Sequence, residues 1–173
     1  MILPLRVAWL LRRKLAIVEG PPAHEAKVPA PYIPFDRPER FVDTTWVHCS
    51  ASDNPQHDNI ATIRRWHLDR GFNDVGYHWV ILKSGQVIPG RTPERMPAAQ
   101  KGHNKRALAV CVTGKRIFSP AQFESLNVLA DVIEVAYDDQ QIRFRGHCEV
   151  SSKLCPVFDY RAVLGLDKDG YRR

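Results

Sequence analysis

The chain has 173 residues, 44% of them hydrophobic and 25% charged, with a formal net charge of +6 and an isoelectric point near 9.3. That length supports one sizeable core, hence one domain, and the balance is an ordinary globular one that excludes a disordered or fibrous chain. The positive excess favours an anionic partner such as a cell wall, nucleic acid or a membrane surface, and charge alone does not choose among them.

In chain order, residues 1–20 form a basic apolar segment. Met1 to Val18 carries Arg6, Arg12, Arg13 and Lys14, and its longest uncharged run, Val7 to Leu11, is far shorter than the roughly 20 residues that span a bilayer. Val7, Leu10, Leu11, Leu15 and Val18 fall at helical spacing. Two readings stay open: an arm packed on the domain that follows, or an amphipathic segment touching an anionic membrane. Residues 21–40 hold six of the thirteen prolines and read as an extended linker or wrapped arm.

From Phe41 the pattern alternates strand and helix. Phe41 to Ser50 reads as a strand. Asn59 to Arg70 reads as a helix, with Ile60, Ile63 and Trp66 on one face and Gly71 at the left-handed cap. Tyr77 to Lys83 and Gln86 to Gly90 are two strands around Ser84-Gly85, and Ala107 to Thr113 is a short apolar strand. Ser119-Pro120-Ala121-Gln122 is a capping-box start, followed by Phe123, Leu126, Ala130, Ile133 and Tyr137 on one helical face. Ile142 to Arg145 is a strand feeding His147, and Asp159 caps a short helix ending near Gly165. The alternation predicts an α/β fold, a mixed central β-sheet flanked by helices.

The chemistry-bearing residues lie in two segments, Trp46 to Ser50 and His147 to Pro156. His48, His147 and Cys155 make a two-nitrogen, one-sulfur set, and a hydrolytic zinc site needs three protein ligands with the fourth position open to water. If the three meet in space, the protein is a zinc hydrolase. Tyr77 and Lys153 would add a phenol and an ammonium group, the parts that relay a proton and hold an oxyanion. Strand alternation points Cys49 away from His48, and His78 away from Tyr77, which removes two further ligand candidates. Cys148 is set aside with them. Cys111 reads as a core residue and His67 as a structural one.

Several segments carry a resemblance: Val47 to Ala51, Ile63 to His67, Gly71 to His78, Lys101 to Asn104, Val110 to Gly114, and His147 to Asp159. In this order they resemble the zinc-dependent N-acetylmuramoyl-L-alanine amidases of phage lysozyme and peptidoglycan-recognition-protein type. The resemblance implies one amidase domain over 41–166, with an N-terminal arm and a tail at 167–173. It implies zinc on His48, His147 and Cys155, assistance from Tyr77 and Lys153, and cleavage between N-acetylmuramic acid and L-alanine of the stem peptide. Where phage members often place a cleft histidine, this chain has Ala99, so His103, Arg91 or Gln100 is expected to supply part of the substrate contact.

The implied setting is a monomeric phage endolysin, made in the host cytoplasm and acting in the periplasm on peptidoglycan. With no secretory cleavage signal, the four cysteines are expected to be free thiols, one of them binding metal. A basic stripe interleaved with aromatics is lacking, so nucleic acid is not an expected partner. Two alternatives remain. One is a non-catalytic peptidoglycan-recognition module, whose members typically lack the metal cysteine. The other is a regulator that binds a phage RNA polymerase, for which no surface is identifiable in these residues.

Overall fold

The interior strand β1 (Thr44–Cys49) is flanked by two parallel partners, β4 (Ala107–Val112) and β5 (Arg143–Gly146). The computed structural model describes residues 33–173, so segment 1–20 and most of connector 21–40 lie outside the described residues. β2 (Trp79–Ile81) pairs parallel with β4 and antiparallel with β3 (Val87–Pro89), giving the order β3-β2-β4-β1-β5. The expected mixed sheet is therefore present. β4 is buried at all six positions, which explains its continuous apolar run: a strand covered on both faces has no polar side to alternate with.

The strands are shorter than their apolar runs. β1 begins at Thr44 because Phe41 is exposed, its ring covered by the Arg106 guanidinium at 4.5 Å. Tyr77 precedes β2, and its carbonyl accepts the Arg91 N–H at 2.8 Å. That leaves the phenol on the approach to the strand, outside the ladder.

One face of the sheet carries Val47, Leu108, Val110, Val112, Ile81 and Phe144. Against them packs α2 (Pro120–Ala136), through Leu126, Leu129, Ala130 and Ile133, each at most 1% exposed. Such a stripe stabilises by roughly 1.5 to 3 kcal/mol per large side chain removed from water. The capping box is formed as expected: Ser119 Oγ accepts the Gln122 N–H, and Gln122 Oε1 accepts the Ser119 N–H. Fully buried Gln122 also donates through Nε2 to the Thr113 carbonyl at 2.7 Å, tying the helix start to the end of β4. The short helix α3 (Tyr160–Leu164), capped by Asp159 and ended by Gly165 at φ 62°, packs on the same side.

The opposite face carries Trp46, His48, Ala109, Cys111 and Val80. It is covered by α1 (Ile60–Leu68), which inserts Ile63 beside Val80 and Cys111. Asn59 caps α1 by accepting the Thr62 N–H at 2.7 Å, and Gly71 follows at φ 82°. Described connector residues also join the core: Ile33 is buried and Phe35 meets Trp79 edge-on at 5.3 Å. In the C-terminal stretch the Gly170 carbonyl accepts the Phe144 N–H, which continues the edge of β5.

His78 is a buried structural histidine. Its Nδ1 accepts the Ala109 N–H at 3.0 Å, which fixes the proton on Nε2, and Nε2–H donates to the Arg95 carbonyl at 3.0 Å. Burial lowers its pKa to about 4, against about 6.5 in an unfolded chain. Between those values the unfolded state binds a proton that the folded state refuses. The stability held above pH 6.5 is therefore lost as pH falls, by roughly 3 kcal/mol from this residue at pH 4. Urea midpoints at pH 7 and pH 4 should show the drop, and His78→Asn, which cannot titrate, should shrink it.

Candidate metal centre

β1 ends the inner face of the sheet at His48, which is 1% exposed. β5 delivers His147 beside it, and the loop after His147 returns Cys155 to the same point. One ligand atom from each of His48, His147 and Cys155 lies within 4.8 Å of the others. The two imidazole centroids are 4.7 Å apart, and His48 Nδ1 is 3.9 Å from Cys155 Sγ. A tetrahedral zinc with bonds of roughly 2.0 Å to nitrogen and 2.3 Å to sulfur separates such a pair by about 3.5 Å. The set therefore fits that ion with small adjustments.

The electrostatics point the same way. Burial, and then the neighbouring His147, lowers the His48 pKa to about 3, and burial also lowers that of His147. Both rings are neutral at pH 7, as metal ligation requires. His48 Nε2 is buried without a hydrogen-bond partner among the described residues. The contact with Cys49 and burial push the Cys155 thiol up; a divalent cation reverses that by stabilising the thiolate.

Local packing holds the second half of the set. Glu149 accepts from Arg145 at 2.8 Å, from the Gly146 N–H at 3.1 Å and from the Tyr160 hydroxyl at 2.6 Å. This pins the one-turn 3-10 segment His147–Glu149 onto α3. A side chain at Gly146 would meet the Tyr160 ring at 2.5 Å, so only glycine lets His147 sit this close to that helix. The Cys148 N–H donates to the Cys155 carbonyl at 2.6 Å, closing the loop.

Tyr77 and Lys153 both line the same cavity as His48, His147 and Cys155. The Tyr77 ring lies 5.1 Å from that of His48 and 5.2 Å from that of His67, and burial holds its phenol well above the ordinary value, hence protonated. His67 accepts the Gly76 N–H through Nδ1 at 2.7 Å and so braces the loop that carries Tyr77. Gly76 is required there, because a Cβ would meet the Ala98 carbonyl at 2.4 Å. Lys153 stands beside Cys155 in a tight turn in which the Cys155 N–H donates to the Lys153 carbonyl at 3.0 Å.

The cavity measures about 880 Å³. Trp66 and Arg70 line it from α1 and just beyond, Leu154 and Val157 from the metal loop, and Lys115 from the loop after β4. That last loop is fixed by Asp53, whose carboxylate accepts the N–H groups of Lys115, Arg116 and Ile117 at 2.7 to 3.2 Å. Sequence reasoning did not single out these wall residues or Asp53. The spacing of Ile63, Trp66, His67 and Arg70 on one helical face was the available signal.

The three residues expected at the substrate lie elsewhere. Arg91 donates to the Val75 and Met96 carbonyls, at 3.1 and 2.9 Å. His103 sits on an exposed loop with its ring edge-on to Trp46 at 5.9 Å. Gln100 is 2% exposed, and its Oε1 has no partner among the described residues. None of them lines the cavity. Cys111 is fully buried, and Cys148 is exposed. Cys49 is outside the ligand set, yet its sulfur lies 3.9 Å from that of Cys155. Alternation alone does not give this contact; it arises where the strand ends and the chain turns through Ala51 at φ 59°.

Residues 38–158 match the protein family described as N-acetylmuramoyl-L-alanine amidase. The endolysin of Escherichia phage T7 is 35% identical over 127 residues, covering 69% of this chain and 83% of that protein. Among solved structures, the N-acetylmuramoyl-L-alanine amidase LysC from Clostridium intestinale superposes with a TM-score of 0.64 at 24% identity, covering 72% of this chain and 83% of its own. Drosophila peptidoglycan recognition protein SD gives 0.61 at 20%, covering 80% and 88%. These two likenesses establish the shared fold.

Proposed function

This chain belongs to the N-acetylmuramoyl-L-alanine amidase family, and we propose on that premise that His48, His147 and Cys155 hold a catalytic zinc. The chain is a peptidoglycan amidase that cleaves the bond between the lactyl group of N-acetylmuramic acid and L-alanine. The observation that carries the zinc reading is the convergence of two neutral imidazoles and a thiol in an 880 Å³ cleft. Its likeness to the T7 endolysin supports a role in phage-driven lysis, with the enzyme made in the host cytoplasm and delivered to the wall.

When bound, zinc supplies a Lewis acid that lowers the pKa of water toward neutrality and polarises the scissile carbonyl. The remaining chemistry falls to side chains. Tyr77, held protonated, donates a hydrogen bond to the developing oxyanion or orients the attacking water. Lys153 places a positive charge at the cleft edge, where negative charge grows as the carbonyl becomes tetrahedral. Ile63, Trp66, Leu154 and Val157 give the walls apolar surface, and Arg70 and Lys115 offer cations to the carboxylates of a stem peptide.

Mass spectrometry of digested, purified peptidoglycan tests the reaction. Glycan bearing free lactyl carboxylates, with stem peptides that start at an unblocked L-alanine amine, is the expected result; new reducing sugar ends, or cuts inside the stem, would refute it. Chelation should abolish the release and added zinc restore it. Full activity after exhaustive chelation would remove zinc from the account.

A further inference from the structure

Cys49 is a buried nucleophilic group that the proposed mechanism does not use. It is 6% exposed and lines the same cleft as Cys155. The Cys155 sulfur accepts the Cys49 N–H at 3.3 Å and lies 3.9 Å from the Cys49 sulfur. All four cysteines are free thiols. Cys111 is fully buried and neither it nor Cys148 lines the cleft. A disulfide holds its sulfurs at about 2.05 Å, so this pair needs an approach of about 2 Å.

We propose that Cys49 and Cys155 form a reversible disulfide in the metal-free chain, so that zinc and a small oxidant compete for one sulfur. The inference rests on Cys155 being a zinc ligand. In the oxidation the two thiols lose two protons and two electrons and an S–S bond forms. Hydrogen peroxide takes up both and leaves as two waters. With oxidised glutathione, a mixed disulfide at the more exposed Cys155 is resolved by Cys49, releasing two reduced glutathiones. The disulfide removes one of three ligands and locks the cleft without zinc. A loaded chain keeps its sulfur engaged and passes through an oxidising compartment intact.

The test uses the full chain with peroxide or oxidised glutathione, before and after zinc loading. The metal-free protein should lose two thiols and the mass of two hydrogens, with peptide mapping joining Cys49 to Cys155 and dithiothreitol reversing both. Zinc at a hundred times its dissociation constant leaves about one chain in a hundred unloaded, so oxidation should slow about a hundredfold. In Cys49→Ser and Cys49→Ala the resolving sulfur is gone, so peroxide should carry Cys155 to a sulfinic acid that dithiothreitol does not restore. A Cys148–Cys155 link, a free Cys49 after oxidation, or equal rates with and without zinc overturns the proposal. Mapping of the wild-type bridge needs no variant. If chelation leaves wall hydrolysis unchanged, the zinc reading fails separately from the disulfide.

Discussion

Cys155→Ser should lose most bound zinc and lower wall hydrolysis by at least about a thousandfold. Bulk water ionises near pH 15.7, and a catalytic zinc brings that to about 7, so a chain that cannot retain its ion forfeits nearly all hydroxide available at neutral pH. Serine is close in size, and Cys155 is only partly buried, so the substitution changes donor chemistry far more than packing. A neutral hydroxyl replaces the soft sulfur that zinc favours. Metal content by mass spectrometry, read alongside turbidity loss on purified wall, checks both halves. A variant that keeps stoichiometric zinc and normal rates would exclude Cys155 from the ligand set.

Lys153→Ala should leave zinc content unchanged and lower kcat by about a hundredfold to a thousandfold, the range for removing one oxyanion donor, or about 2.7 to 4 kcal/mol. The charge sits close enough to the centre to lower the pKa of both His48 and His147, so its field reaches the atoms that matter. Tyr77→Phe should also keep its zinc and lose turnover, by about a hundredfold, the low end for removing a general acid or base. The ring that packs against His48 and His67 remains and only the hydroxyl goes. The split between metal content and turnover distinguishes these residues from ligands. Normal hydrolysis by Lys153→Ala would remove its assignment.

The meeting of His48, His147 and Cys155 was legible because these residues are chemically rare and sit in short motifs with a fixed order. Caps were legible for a similar reason: Ser119 with Gln122, and Asp159, act within three residues of themselves. The cleft walls were not. Lys115 reaches the site only because Asp53, 62 residues earlier, grips the backbone beside it, and no local pattern encodes that contact. Ala99 shows the same limit. It packs beside Trp46, Ala107 and Ala109, while Arg91, expected to reach substrate, donates to the backbone carbonyls of Val75 and Met96. Strand ends were overextended because apolar character continues past the point where a partner strand is available.

The distance along the polymer between His48 and Cys155, 107 residues, bears on when activity first appears. β1 leaves a ribosome long before its neighbours on both sides, β4 and β5. Nonlocal parallel pairings of this kind form slowly. A nascent chain thus carries His48 on an unpaired strand until β4, β5 and the loop after them have been made. The His48, His147 and Cys155 set exists only once translation has passed Cys155.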